Sequence, residues 1–154
     1  MNYSATFQRY KLMPIIRSQI SDINKKVGSN FEFKFKEHFI DRIIQRNIDI
    51  DKIIKLINEI VSNDENINAI NNYLRMPELP IDGDIDPNVE YRPTRLEFSD
   101  GVLWIGLTPY KNKYGNYQLY LRMAIINKSR LSVKISKTLL VTDEFYKHHK
   151  DLNH

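Results

Sequence analysis

His38 and Arg42 are the residues whose types and spacing point most directly to chemistry. An imidazole has an unperturbed pKa near ~6.5 and so exchanges protons at neutral pH. A guanidinium presents a planar fork that matches phosphate oxygens. Four residues apart on a helix, the two share one face. A proton-transfer group beside an anion clamp suits phosphodiester chemistry. The plainer alternative is that His38 is a polar residue in the first turn of a surface helix. The other histidines, His148, His149 and His154, all fall in the last few residues, and there is no cysteine. A thiolate metal site and a disulfide framework are therefore excluded, and neither a metal nor a cofactor is expected.

The pair sits at a seam between two periodicities. In FEFKFKEHFIDRIIQR, Phe31, Phe33 and Phe35 alternate with Glu32, Lys34 and Lys36, which predicts a strand with one buried face. From Glu37 the apolar residues become Phe39, Ile40, Ile43 and Ile44, one stripe of an amphipathic helix, with His38, Arg42 and Gln45 on its polar side.

The 154 residues suffice for one sizeable core, and 42% apolar residues with a mean hydropathy of -0.48 are ordinary for a soluble chain. No run approaches the ~18 apolar residues of a membrane span, and MNYSATFQRYKLMP lacks the apolar region of a signal peptide. A cytoplasmic location is expected. The net charge of +4 and pI near 9.2 are unevenly placed. Residues 101–142 contain no Asp or Glu, yet hold Lys111, Lys113, Arg122, Lys128, Arg130, Lys134 and Lys137. Such a stretch fits a polyanion, although a solvated sheet face balanced from elsewhere would look the same.

The remaining elements follow in order. Leu12, Ile15, Ile16, Ile20 and Ile23 predict a helix from about Pro14 to just before Gly28. After the His38 helix, Ile53, Ile54, Ile57, Ile60 and Val61 mark another, and Ile67, Ile70, Tyr73 and Leu74 a further short one stopped by Pro77. Residues 77–93 read as a solvated loop. Their Asp82, Asp84 and Asp86 begin like a calcium loop, but Pro87 and Pro93 stand where its Gly and Glu belong. Leu96 and Phe98 alternate into a core, Asp100-Gly101 signals a hairpin, and residues 102–107 form the return strand. PYKNKYGNY turns the chain again. The next strand is predicted to place Leu119, Leu121, Met123 and Ile125 on one face and Tyr120, Arg122 and Ala124 on the other. Lys111 and Lys113 among Tyr110, Tyr114 and Tyr117 could track a phosphate backbone and stack unpaired bases, or simply pack. Leu131, Val133 and Ile135, alternating with Ser132, Lys134 and Ser136, predict the last strand. The expected fold is α+β over a single domain, residues 1–154: an N-terminal helix, strand-helix-helix, then an antiparallel sheet of about four strands. Residues 143–154 are expected to be a loosely ordered tail.

HFIDRIIQRNID, LRMPELP, VEYRPTRLEFSDGVLWIGLT and LRMAIINKSRLSVKISK resemble the RegB endoribonucleases of T-even bacteriophages, a family with a RelE-like fold. The resemblance runs over about residues 31–142. It implies a phage early-gene nuclease that cuts early messages within a purine-rich GGAG element of the ribosome-binding site. It also implies cleavage without a metal ion, stimulation by a ribosomal RNA-binding protein, and action as a monomer in the host cytoplasm. His38 and Arg42 match the family's catalytic histidine and the arginine one turn later, whereas its second functional histidine falls at Asn58. An amide cannot exchange a proton at neutral pH but can orient RNA. His38 is accordingly expected to be general base or acid, and Arg42 and Arg122 phosphate and transition-state clamps. Arg122, Arg130, Lys134, Lys111, Lys113, Tyr120 and Asn58 are the expected RNA contacts. The competing expectations are a non-catalytic RNA-binding repressor and a RelE-type toxin.

Overall fold

The alternation of phenylalanine with charge does form a strand, β1 (Phe31–Phe35), with Phe31 and Phe33 buried. The structure is a computed structural model that describes residues 5–28, 30–130 and 137–149. Before β1 runs helix α1 (Ala5–Val27), and after it come α2 (Glu37–Gln45), α3 (Ile50–Val61) and α4 (Asp64–Arg75). Side chains close two helix starts. Asp49 accepts from the Asp51 backbone N–H, and Asn63 accepts from those of Glu65 and Asn66. Each such cap is worth ~1 kcal/mol.

α1 starts well before Pro14, which lies inside it. Proline removes one helical hydrogen bond, but tertiary contacts hold both sides of the break. Arg9 Nη1 donates to both Asp41 carboxylate oxygens of α2 at 3.1 and 2.9 Å. Beyond the proline, Ile16, Ile20 and Ile23 are buried. None of the described helices is long and apolar enough to cross a membrane.

The sheet contains β2 (Arg95–Ser99), β3 (Leu103–Lys111), β4 (Tyr117–Ile126) and β5 (Lys137–Val141) with β1, in the order β1-β4-β3-β2-β5. It is mixed and five-stranded rather than antiparallel and four-stranded. β1 runs parallel to β4, and β2 parallel to β5. Periodicity shows which face of a strand is buried but not the direction of its neighbour, which long crossover connections decide. The predicted strand at 131–135 lies outside the described residues.

Phe31, Phe33, Leu119, Leu121, Leu107, Ile105, Leu96 and Phe98 form the helix-facing side of the core. A register shift between Gly106 and Leu107 leaves Arg122 unpaired in the β3–β4 ladder. The extra residue reverses the alternation beyond it, so Ala124 is buried in the core. Met123 pairs with Gly106 and Ile125 with Trp104, on the opposite face, which corrects the predicted assignment.

One end of that opposite face is covered by the chain's C-terminal region. Trp104 is fully buried there, with the rings of Phe145 and His149 each edge-on at 5.8 Å. Phe145 opens the short α5 (Phe145–His148), and Gly101 has φ 94, with His148 Cβ only 3.0 Å from where a Cβ would stand. Phe145 and His149 thus pack on the lone tryptophan, while residues 143, 144 and 146–148 remain exposed. The neck of the 77–93 loop is also tied. Arg92 N donates to the Pro77 carbonyl at 2.7 Å, and Tyr73 Oη to that of Pro93 at 3.0 Å. Burial pushes the Tyr73 phenol up, against the opposing pull of the Arg92 guanidinium.

Candidate active site

β1 ends at Phe35, while its partner β4 continues to Ile126. α2 occupies the vacated edge. At its start, Lys36 Nζ lies 5.4 Å from the Tyr120 ring centroid, and at its end Arg46 Nη1 donates to the Ala124 carbonyl at 2.8 Å. The lengths agree: residues 36–46 rise roughly 15 Å as helix, and residues 120–124 roughly 13 Å as strand. Phe39, Ile40 and Ile43 press the other side of α2 into the core.

His38, Arg42 and Arg46 recur every fourth residue, and the last of them reaches β4. His38 is exposed and Arg42 half-buried. Arg122, the bulged residue, stands midway along the strand stretch that α2 accompanies, and it too is exposed. None of the three is paired with a carboxylate among the described residues. This strip carries a proton-transfer group and guanidinium forks without carboxylate partners, groups that cleavage of a phosphodiester can use. No three His, Asp or Glu side chains gather as possible metal ligands among the described residues.

Beside the strip, Tyr120 carries the Lys36 ammonium and meets Tyr110 edge-on at 6.3 Å. The contacts that dock α2 beside the bulged strand are made by Lys36 and Arg46, and neither was singled out by its sequence pattern. The one available signal is positional, since both flank the period-four stripe of His38 and Arg42.

Other expected contacts lie apart. Lys111 Nζ is 5.3 Å from the Tyr117 ring centroid and Lys113 Nζ 5.1 Å from that of Tyr114, in the hairpin at the opposite end of β4. Lys111 pairs with Tyr117 and Tyr117 with Phe31, which puts them on the helix-facing side. Arg130 Nη2 donates to Glu97 Oε2 at 2.9 Å, and its guanidinium lies 5.3 Å from Trp104. That guanidinium is already engaged by a buried carboxylate, so it is a structural cation here rather than an open phosphate contact. Lys134 lies outside the described residues.

Asn58 is also remote. Lys26 Nζ donates to its Oδ1 at 3.4 Å near the end of α1, whereas Glu37 and Asp41, which flank His38, meet Arg9 near the start of α1 at 3.9 and 2.9 Å. Those two points on α1 are roughly 25 Å apart at ~1.5 Å per residue. Asn58→His is accordingly expected to leave the cleavage rate unchanged and to add no second limb to the pH–rate profile. A new limb would place position 58 in the proton-transfer path.

The family model for T4 phage endoribonuclease RegB matches residues 1–141. Endoribonuclease RegB of Enterobacteria phage T4 is 41% identical over 131 residues, covering 82% of this chain and 84% of that protein. The solution structure of phage T4 endoribonuclease RegB superposes with a TM-score of 0.57 at 37% identity, covering 86% of this chain and 92% of the other.

Proposed function

The chain belongs to the T4 phage endoribonuclease RegB family, and from that premise we propose that it cuts phage early messages within purine-rich, GGAG-containing ribosome-binding sites. The proposed cleavage uses side chains alone, as a monomer in the cytoplasm of the infected host, with a ribosomal RNA-binding protein as stimulating partner. That the chain is an endoribonuclease, with RNA as its substrate, follows from the family itself. The observation that supports the finer reading is the docking of α2 on β4: α2 carries an exposed imidazole one turn from Arg42, and the strand it docks on carries the exposed Arg122.

In this mechanism the 2′-hydroxyl attacks the adjacent phosphorus while a base removes its proton. The P–O5′ bond breaks as an acid protonates the leaving oxygen. The products are a 2′,3′-cyclic phosphate and a 5′-hydroxyl. His38 takes one proton role. Arg42 and Arg122 face the phosphorane, which carries two negative charges where the phosphodiester carried one, and preorganised cations act most strongly on such developing charge. Tyr120, on β4 beside Lys36, is assigned the second proton.

The test is incubation of the purified protein with a GGAG-containing transcript and a scrambled control, in EDTA, with analysis of the ends. Cutting of the GGAG transcript alone, leaving cyclic phosphate, is the expected result. Loss of cutting in EDTA would overturn the metal-free mechanism, and equal cutting of both transcripts would overturn the purine-rich site. A mobility shift without cutting would mark a binder.

A further inference from the structure

Next to the catalytic strip, across the bulge, the open face of the sheet contains a recess of about 300 Å³. That is near the lower limit of small-ligand pockets, ~300 Å³. Gly106 lies on β3 between Glu97 of β2 and Met123 of β4. Its bare backbone is what leaves the recess open, since a Cβ there would stand 3.2 Å from Met123 Cε. Arg95, Thr108, Arg122 and Met123 line the sides. We infer that this recess receives one guanine base of the RNA, with the Arg95 guanidinium donating to O6 and N7.

The donor inventory selects the base. Arg95 is exposed and pairs with no carboxylate among the described residues, so its fork is available. The one carboxylate in the lining, Glu97, is only 1% exposed, and its two oxygens already accept from Arg130 at 2.9 Å and Lys137 at 3.1 Å. The recess therefore offers strong donors and no free charged acceptor. Guanine presents two adjacent acceptors, O6 and N7, to such a fork, whereas adenine places its N6 amino donor where O6 would be. The Met123 thioether and the glycine backbone give the flat ring an apolar surface to lie on. Arg122 lines the recess and also borders the catalytic strip, so a base held here belongs to a nucleotide close to the one being cut.

This inference rests on the purine-rich reading above, and the experiment separates the two. The cleavage rate is measured on GGAG transcripts in which each guanine in turn is replaced by 7-deazaguanine, which lacks the N7 acceptor, or by inosine, which lacks only the 2-amino group. For the wild-type protein, one position is expected to lose rate with 7-deazaguanine and to tolerate inosine. In Arg95→Ala, that position no longer distinguishes guanine from 7-deazaguanine, and its preference for guanine over adenine falls roughly 5- to 150-fold. Gly106→Val, which fills the recess, gives the same loss of preference, with folding checked by circular dichroism. GGAG cleavage with a preference unchanged in Arg95→Ala overturns the recess alone. Equal cutting of GGAG and scrambled transcripts overturns the purine-rich reading. Cut sites from a random-sequence pool then decide the recess: unchanged guanine enrichment in Arg95→Ala refutes it, and reduced enrichment supports it.

Discussion

His38→Ala lowers the cleavage rate by about 10²–10⁴, the usual contribution of a positioned proton-transfer group, while RNA affinity stays within a few-fold. The two effects separate because the imidazole acts on a proton in the transition state, whereas phosphate attraction comes from arginines whose positions do not depend on it. His38 is exposed and has no hydrogen bond or ion pair among the described residues, and the buried side of α2 is carried by Phe39, Ile40 and Ile43. The thermal midpoint should therefore be unchanged, which makes the rate loss interpretable. Single-turnover cleavage with saturating protein is the measurement. A rate equal to wild type would remove His38 from the mechanism.

Glu97→Ala destabilises the fold by about 3–5 kcal/mol, the cost of breaking a buried ion pair and leaving its partner charges uncompensated. Glu97 is 1% exposed, and the side chains of Lys137 and Arg130 are 5% and 17% exposed. Both cations lie within 5.3 Å of the Trp104 ring. Without the carboxylate they repel each other above an indole that supplies only part of the lost attraction. Glu97→Gln, which keeps the shape and one acceptor, should lose less. Denaturant midpoints at constant slope measure both. A loss below ~1 kcal/mol for Glu97→Ala, the range of solvated pairs, would mean that the cations regain water freely.

The elements that can be read from the sequence are those whose pattern is local. The Phe31–Phe33–Phe35 alternation and the stripes of α2, α3 and α4 depend on residues a few positions apart, and β1 and these helices form where their periods say. What escapes is set between distant segments. Met123 and Ile125 change faces because of a bulge against Gly106, and α1 runs through Pro14 because Asp41 holds Arg9 beyond it. The packing of Phe145 on Trp104 is long-range in the same sense. In the candidate site, the spacing of His38 and Arg42 was legible because one helix carries both. The remoteness of Asn58 and the engagement of Arg130 by Glu97 were not, since each depends on how separate elements dock.

The docking of α2 on β4 also sets an order of events during synthesis. The Arg46–Ala124 bond joins residues 78 apart, and the Glu32–Gln118 contact across the parallel strands joins residues 86 apart. Contacts of such long sequence separation form late, after the intervening chain is available and its loop-closure entropy has been overcome. A nascent chain that has released α2 from the ribosome still lacks the strand on which α2 docks. At translation rates of ~5–20 residues per second, that interval lasts several seconds. The nuclease therefore acquires its working geometry only when most of its own message has been read.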